Sequence, residues 1–406
     1  MKRFVVLGGK RLEGCIEVGG SKNAVLPILF ATVLTNGISV IKNVPDIKDV
    51  RVTLDILREL GAVAELKADT VTVDTRDLHY TLPSEHLVRS IRASSYLLGA
   101  LTARFGRAKI MNFGGCNFDN RPIDMHLSAM RRVGVRIEEA DCYLDAPTPA
   151  DITFDKVSVG ATVNALLLTA AVNGRSRIFG YAREPHVFSL IDYLNSAGAR
   201  ITFTPDYISV EGGRLCGAEI TAPPDMIEAG SYIIASLATR SPITVRGARR
   251  EHLSSLFDLL SLAGAGFSFD GEAVTPFGEV VEWVNLFTSP HPGFPTDLQP
   301  LTAPLFALSA GGRITEGVWQ GRFGYLRELG RFGLCYRTEP SSAEIFPSVL
   351  TPATATAPDL RGGAALLVAA LAAKGESVIY GADIIGRGYA DIANKLRGVG
   401  AVIEEL

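Results

Sequence analysis

Cys116 is set among residue types that predict an exposed thiol able to act as an acid or a nucleophile. The segment Phe113-Gly114-Gly115-Cys116-Asn117-Phe118-Asp119-Asn120-Arg121-Pro122 joins a candidate strand over 109–112 to a helix opening near Ile123. Two glycines before the cysteine and polar residues after it predict an exposed loop. A thiol near Arg121 and an anionic ligand has a shifted pKa and can act as an acid or a nucleophile. Cys15, Cys142, Cys216 and Cys335 lack such a setting and read as buried and inert. Five widely spaced cysteines with no C-x-x-C pair indicate neither a disulfide framework nor a zinc site. No H-x-x-H, H-E-x-x-H, G-x-G-x-x-G or P-loop is present, so metal hydrolysis and dinucleotide chemistry lack a basis. His126 and His291 read as ligands or as polar loop residues.

A second group of informative residues opens the helices that are apolar all round. These small-residue stretches start at Ala24, Ala93, Val163, Ser231, Leu298 and Gly362. Their entries carry Ser21-Lys22-Asn23, Arg92, Ser158 with Thr162, Asp225 with Glu228, Thr296-Asp297, and Asp359 with Arg361. Serine, threonine and aspartate in such places are ordinary N-caps. Lys22, Arg92 and Arg361 instead oppose the helix dipole and call for a compensating anion, which a bound phosphate or carboxylate would supply. If repeat symmetry turns these N-termini toward one inter-domain cleft, that cleft binds anions.

The elements that position these residues recur. An apolar residue, three more residues and a glycine appear six times, ending at Gly61, Gly134, Gly198, Gly264, Gly333 and Gly400, at intervals of 73, 64, 66, 69 and 67 residues. Each copy reads as an amphipathic helix closed by a glycine with positive φ, followed by a strand such as Ala199-Arg200-Ile201-Thr202-Phe203. An open solenoid would leave the apolar helices uncovered. Enclosure by sheets in two compact domains of three repeats each fits better. Grouping by three places one domain over 22–225 and a discontinuous one over 1–21 and 226–406.

With 406 residues, 47% hydrophobic and 20% charged, the chain reads as well packed and free of long disordered tails. The net charge is -3 and basic residues are scattered singly, so nucleic acid is not an expected partner. The apolar run near the N-terminus is too short for a secretory signal, and the longest apolar stretch, Ala364 to Ala373, is about half a membrane span. A soluble cytoplasmic protein is expected, and a monomer is the default, since nothing in the sequence sets the oligomeric state.

Taken in order along the chain, several stretches resemble one family closely. They are Gly20-Ser21-Lys22-Asn23-Ala24, Arg92-Ala93-Ser94, Gly114-Gly115-Cys116, Arg121-Pro122-Ile123-Asp124-Met125-His126 and Lys156-Val157-Ser158-Val159-Gly160-Ala161-Thr162. Ala182-Arg183-Glu184-Pro185, His291-Pro292-Gly293-Phe294-Pro295-Thr296-Asp297, Asp359-Leu360-Arg361 and Arg387-Gly388-Tyr389 complete the set. The family is the UDP-N-acetylglucosamine 1-carboxyvinyltransferases, enolpyruvyl transferases at the first committed step of peptidoglycan precursor synthesis.

This resemblance implies an inside-out α/β barrel fold, two domains each of three βαβαββ repeats with the active site between them. It implies phosphoenolpyruvate and UDP-N-acetylglucosamine as substrates, a tetrahedral phospholactoyl ketal intermediate, release of phosphate, and neither metal nor organic cofactor. Carried over residue by residue, Asp297 deprotonates the sugar 3-hydroxyl. Cys116 protonates the methylene carbon, and Lys22 is the third catalytic residue. Lys22, Asn23, Arg121, Arg361 and Arg387 hold phosphoenolpyruvate, with Arg92 adding to the cationic lining. The UDP-sugar is held by Asn23, Arg92, Arg121, Pro122, Ile123, Asp124, Met125, Lys156, Val157, Ser158, Val159, Asp297 and Val318. The chain departs from the family pattern at Phe118, Asp119, Gln320, Gly321 and Gly386. Two other expectations stand beside the main one: a divergent paralogue with another nucleotide acceptor such as UMP, and a ligand-binding regulator without turnover.

Overall fold

The computed structural model describes residues 2–114 and 122–406. The chain divides into two compact units, one of Met1–Gly19 with Pro224–Leu406 and one of Gly20–Pro223. The chain therefore passes between them at Gly19/Gly20 and Pro223/Pro224, just before the positions suggested by grouping the repeats.

The centre of each unit is built from helices with no polar face. In the discontinuous unit these are α4 (Met226–Ala238), α5 (Gln299–Ala307) and α6 (Leu360–Ala372), which pack on one another. In the other unit they are α1 (Lys22–Ala31), α2 (Leu97–Phe105) and α3 (Val159–Ala170). Small residues allow the close approach. At Gly99 in α2 an added Cβ would lie 2.7 Å from Asn164 Oδ1 and 2.8 Å from its carbonyl oxygen in α3. Leu167, Leu366 and Leu301 are essentially fully buried. Truncating any one to alanine costs about 2–5 kcal/mol.

Sheets cover these helices. The discontinuous unit has three four-stranded sheets, each with one parallel edge pair followed by two antiparallel pairings. One repeat runs Val284–Thr288, α5, Gly312–Glu316, the helix Tyr325–Leu329, then Cys335–Glu339 and Ser342–Phe346. That is the βαβαββ order, with central helices enclosed by sheets in the inside-out arrangement. In this unit the N-terminal residues supply Arg3–Gly8, paired with Gly375–Tyr380 and Val402–Glu405, and Gly14–Glu17, paired with Ile243–Arg246. In the other unit two sheets follow the same plan. A third has three strands among the described residues, in the order Arg107–Lys109, Asp141–Tyr143, Arg136–Glu138, and Thr35–Asn36 pairs separately with Leu215–Cys216.

The repeating glycines behave alike. Gly61, Gly134, Gly198, Gly264, Gly333 and Gly400 have φ of 93°, 100°, 117°, 104°, 84° and 94°. Each reverses the chain out of its helix so that the residue after it, such as Ala199 or Val135, enters the core.

The cysteine reading needs correction. Among the described cysteines Cys142 is buried, and Cys15, Cys216 and Cys335 are exposed. Cys15 faces outward on the strand Gly14–Glu17, where Ile16 is the buried residue, and Cys335 opens the strand Cys335–Glu339, which is exposed along its whole length. Among the described residues, no helix is long and apolar enough to cross a membrane, and no cluster of potential metal ligands occurs.

Candidate active site

In the discontinuous unit Asp297, just before α5, meets the expected Arg361 and a further arginine, Arg322, that was not among the expected site residues. Arg322 Nη2 donates to Asp297 Oδ1 at 2.8 Å. Arg361 Nε donates to Oδ2 at 3.2 Å, and its Nη2 lies 3.1 Å from the same oxygen. Both guanidinium groups are buried, at 5% and 3% side-chain exposure, against 32% for the carboxylate. Burial by itself would raise the Asp297 carboxyl, but Arg361 and Arg322 outweigh it and hold the group well below the usual carboxylate range. Burial likewise opposes the Arg361 charge, and Tyr389, Asp297 and Asp225 more than offset it, so its pKa is raised.

Local structure explains why Arg361 points there. It is the second residue of α6, whose N-cap Asp359 accepts from the Arg361 and Gly362 amides at 2.9 Å each. Its guanidinium lies 5.2 Å from the centre of the Tyr389 ring. The Tyr389 hydroxyl in turn shares a 2.7 Å hydrogen bond with Ser231 of α4. Arg361 Nη1 is buried, with no hydrogen-bond partner among the described residues. Arg387 is half-buried in the turn two residues before Tyr389, and Val318 is half-buried after the strand Gly312–Glu316.

In the other unit Lys22 is the first residue of α1, and its Nζ lies 2.8 Å from Oδ2 of the buried Asp49. The cations at helix N-termini called for a compensating anion. For Lys22 and Arg361 a carboxylate of the chain itself supplies it. Asn23 follows, half-buried. Arg92 starts a 3₁₀ turn, Arg92–Tyr96, ahead of α2, so this helix opens later than its apolar run suggests.

The segments expected to hold the UDP-sugar lie on either side of a buried polar group. Pro122, Ile123, Asp124 and Met125 lead into the helix Asp124–Arg132. Lys156, Val157, Ser158 and Val159 lead into α3, with Ser158 capping the Ala161 amide at 3.3 Å. Pro122, Asp124, Lys156 and Val157 are exposed. The next helix residue, His126, is buried. Asn164 Oδ1 accepts from the Gly99 amide at 2.7 Å, which leaves its Nδ2 to donate to His126 Nδ1 at 2.8 Å and to the Ser95 carbonyl at 3.2 Å. The His126 proton is therefore on Nε2. Burial, aided by Arg92, lowers the His126 pKa to about 4, so the ring is neutral near pH 7. His126 is thus neither a metal-ligand candidate nor a loop residue, but a clasp between the two segments.

Cys116 and Arg121 lie outside the described residues. Asp49, Asn164 and Glu316 were not singled out by sequence reasoning. A signal existed for Glu316, because alternation along Gly312–Glu316 places it on the inward face with Ile314. It existed for Asp49 too, which lies on the buried face of the helix Lys48–Glu59.

The family described as EPSP synthase (3-phosphoshikimate 1-carboxyvinyltransferase) matches residues 6–396. The chain is 39% identical to UDP-N-acetylglucosamine 1-carboxyvinyltransferase 2 of Caldanaerobacter subterraneus, over 99% of both chains. It is 38% identical to UDP-N-acetylglucosamine 1-carboxyvinyltransferase 1 of Carboxydothermus hydrogenoformans, over 100% of this chain and 99% of the relative. The enolpyruvyl transferase NikO from Streptomyces tendae superposes with a TM-score of 0.89 at 28% identity, over 100% of this chain and 99% of that one. An EPSP synthase from Acinetobacter baumannii shares the fold, with a TM-score of 0.72 at 17% identity and full coverage of both chains.

Proposed function

This chain belongs to the EPSP synthase family of enolpyruvyl transferases, and we propose that it transfers the enolpyruvyl group of phosphoenolpyruvate to the 3-hydroxyl of UDP-N-acetylglucosamine, releasing phosphate. It is an enzyme of group transfer, in the cytoplasm, at the entry to peptidoglycan precursor synthesis. Full-length similarity to relatives named for that reaction supports the acceptor. The observation that carries the chemistry is an ionised Asp297 held between two buried guanidinium groups.

A carboxylate so strongly stabilised is a poor base. When the phosphate or carboxylate of phosphoenolpyruvate engages Arg361, that guanidinium is shared and Asp297 becomes more basic, able to take the proton of the sugar hydroxyl. The hydroxyl oxygen then bonds to C2 of phosphoenolpyruvate while Cys116 protonates the methylene carbon, giving a tetrahedral ketal. Loss of a proton from that methyl group and departure of phosphate restore the double bond. Lys22, Asn23, Arg121, Arg361 and Arg387 hold the anionic groups of phosphoenolpyruvate, for which bidentate guanidinium contacts are suited. Asn23, Arg92, the segments 121–125 and 156–159, and Val318 hold the nucleotide sugar.

The test is phosphate release from phosphoenolpyruvate by the purified protein with UDP-N-acetylglucosamine, with UMP and without acceptor, alongside Cys116→Ala. Release with the UDP-sugar alone, lost in the variant, is expected. Release only with UMP would move the acceptor to a different nucleotide. No release with any acceptor would overturn the catalytic reading in favour of a binding role.

A further inference from the structure

Glu316 is a buried carboxylate to which the reaction just proposed gives no role. It ends the strand Gly312–Glu316, which pairs in parallel with Val284–Thr288 so that Thr288 stands opposite Glu316. Four donors converge on it. Thr288 Oγ1 at 2.6 Å, the Val318 amide at 2.9 Å and the Trp319 amide at 3.1 Å all reach Oε1. Thr296 Oγ1 reaches Oε2, at 2.8 Å.

The Thr296 hydroxyl also accepts from Arg322 Nη1 at 2.7 Å, and Arg322 Nη2 donates to Asp297 Oδ1 at 2.8 Å. A hydroxyl has one proton. Since the guanidinium can only donate, that proton must go to Glu316, which sets the direction of every bond in the chain from Glu316 to Asp297. The two oxygens thus serve different ends. Oε1 shapes the turn that carries Val318, and Oε2 orients Arg322 through Thr296.

We infer that Glu316 is a positioning residue for the transfer reaction, aligning Arg322 on Asp297 through Thr296 with one oxygen and fixing the Val318 turn with the other. This rests on the function proposed above, with Asp297 as base. The two oxygens can be separated experimentally. In Glu316→Gln the amide oxygen retains the three donors at Oε1, but an N–H replaces the acceptor that faced Thr296. The Thr296 proton loses its partner, and the link from Glu316 that fixes Thr296 against Arg322 is broken while the turn stays intact.

The experiment measures kcat and the KM for UDP-N-acetylglucosamine, by phosphate release, in wild type, E316Q, T296V and the double variant. The expected result for E316Q is a kcat about 10- to 100-fold lower, as for sub-ångström misplacement of a catalytic group, with KM within about twofold of wild type. T296V removes the same link without touching the turn and shows the same split. The double variant is within about twofold of T296V, because both changes break one chain. A kcat for E316Q equal to wild type, a KM that rises as much as kcat falls, or losses that multiply in the double variant would overturn the inference. Should E316Q not fold, an unchanged kcat in T296V overturns it alone. Wild type that releases no phosphate would instead count against the function itself.

Discussion

Replacing Asp297 with alanine tests the electrostatic core of the site through stability instead of turnover. The substitution leaves Arg322 and Arg361 buried without the carboxylate that lies within 3.2 Å of each. Breaking a buried ion pair from one side costs about 3–5 kcal/mol. The carboxylate side chain is 32% exposed, so water compensates in part and about 2–3 kcal/mol is the working figure. For a unit of about 200 residues, where 1 kcal/mol moves Tm by roughly 2–4 °C, the expected drop is about 4–12 °C. Differential scanning calorimetry at pH 7 measures it, with attention to the transition of the discontinuous unit, since two units need not melt together. The pH dependence has a definite sign. The folded carboxyl is held below its unfolded value of about 3.9, so its contribution is complete above that value and is lost as pH falls through the folded pKa. The gap between wild type and variant should therefore be constant from pH 8 to pH 5 and narrow only in stronger acid. An unchanged Tm at pH 7, or a gap that closes between pH 8 and pH 5, would refute the reasoning.

Three further outcomes are expected. Asp49→Asn removes the charge 2.8 Å from Lys22 and should raise the KM for phosphoenolpyruvate about tenfold, equivalent to about 1.4 kcal/mol, in the phosphate-release assay. His126 is held at about 4, below its unfolded value near 6.5, so the unfolded state binds the extra proton between those values. Its share of stability therefore falls by about 2–3 kcal/mol between pH 7 and pH 4.5, and His126→Gln should flatten that part of the urea-unfolding profile. Gly198→Ala meets no atom closer than 3.4 Å, so only the φ of 117° opposes it, and a loss of about 1–2 kcal/mol in urea unfolding is expected.

Much of this protein was legible in the sequence because the relevant physics is local. A glycine that ends a helix at positive φ, and a helix with no polar face, carry their meaning in a handful of neighbouring residues. Their recurrence near every 67 residues was enough to indicate repeats with enclosed helices. The cations Lys22 and Arg361 stood out for the same reason, each set against its own helix dipole. Tertiary structure alone decided what answers those charges. Asp49 reaches Lys22 from the following helix, and Arg322 reaches Asp297 from 25 residues away. It also decided that His126 is a neutral clasp and that three of the cysteines face outward. The chain from Glu316 through Thr296 and Arg322 to Asp297 was out of reach of motif reading, because hydrogen bonds depend on where side chains converge across strands. Alternation along Gly312–Glu316 turns Glu316 inward, but nothing local says which donors it meets until Thr288 and Thr296 are brought beside it.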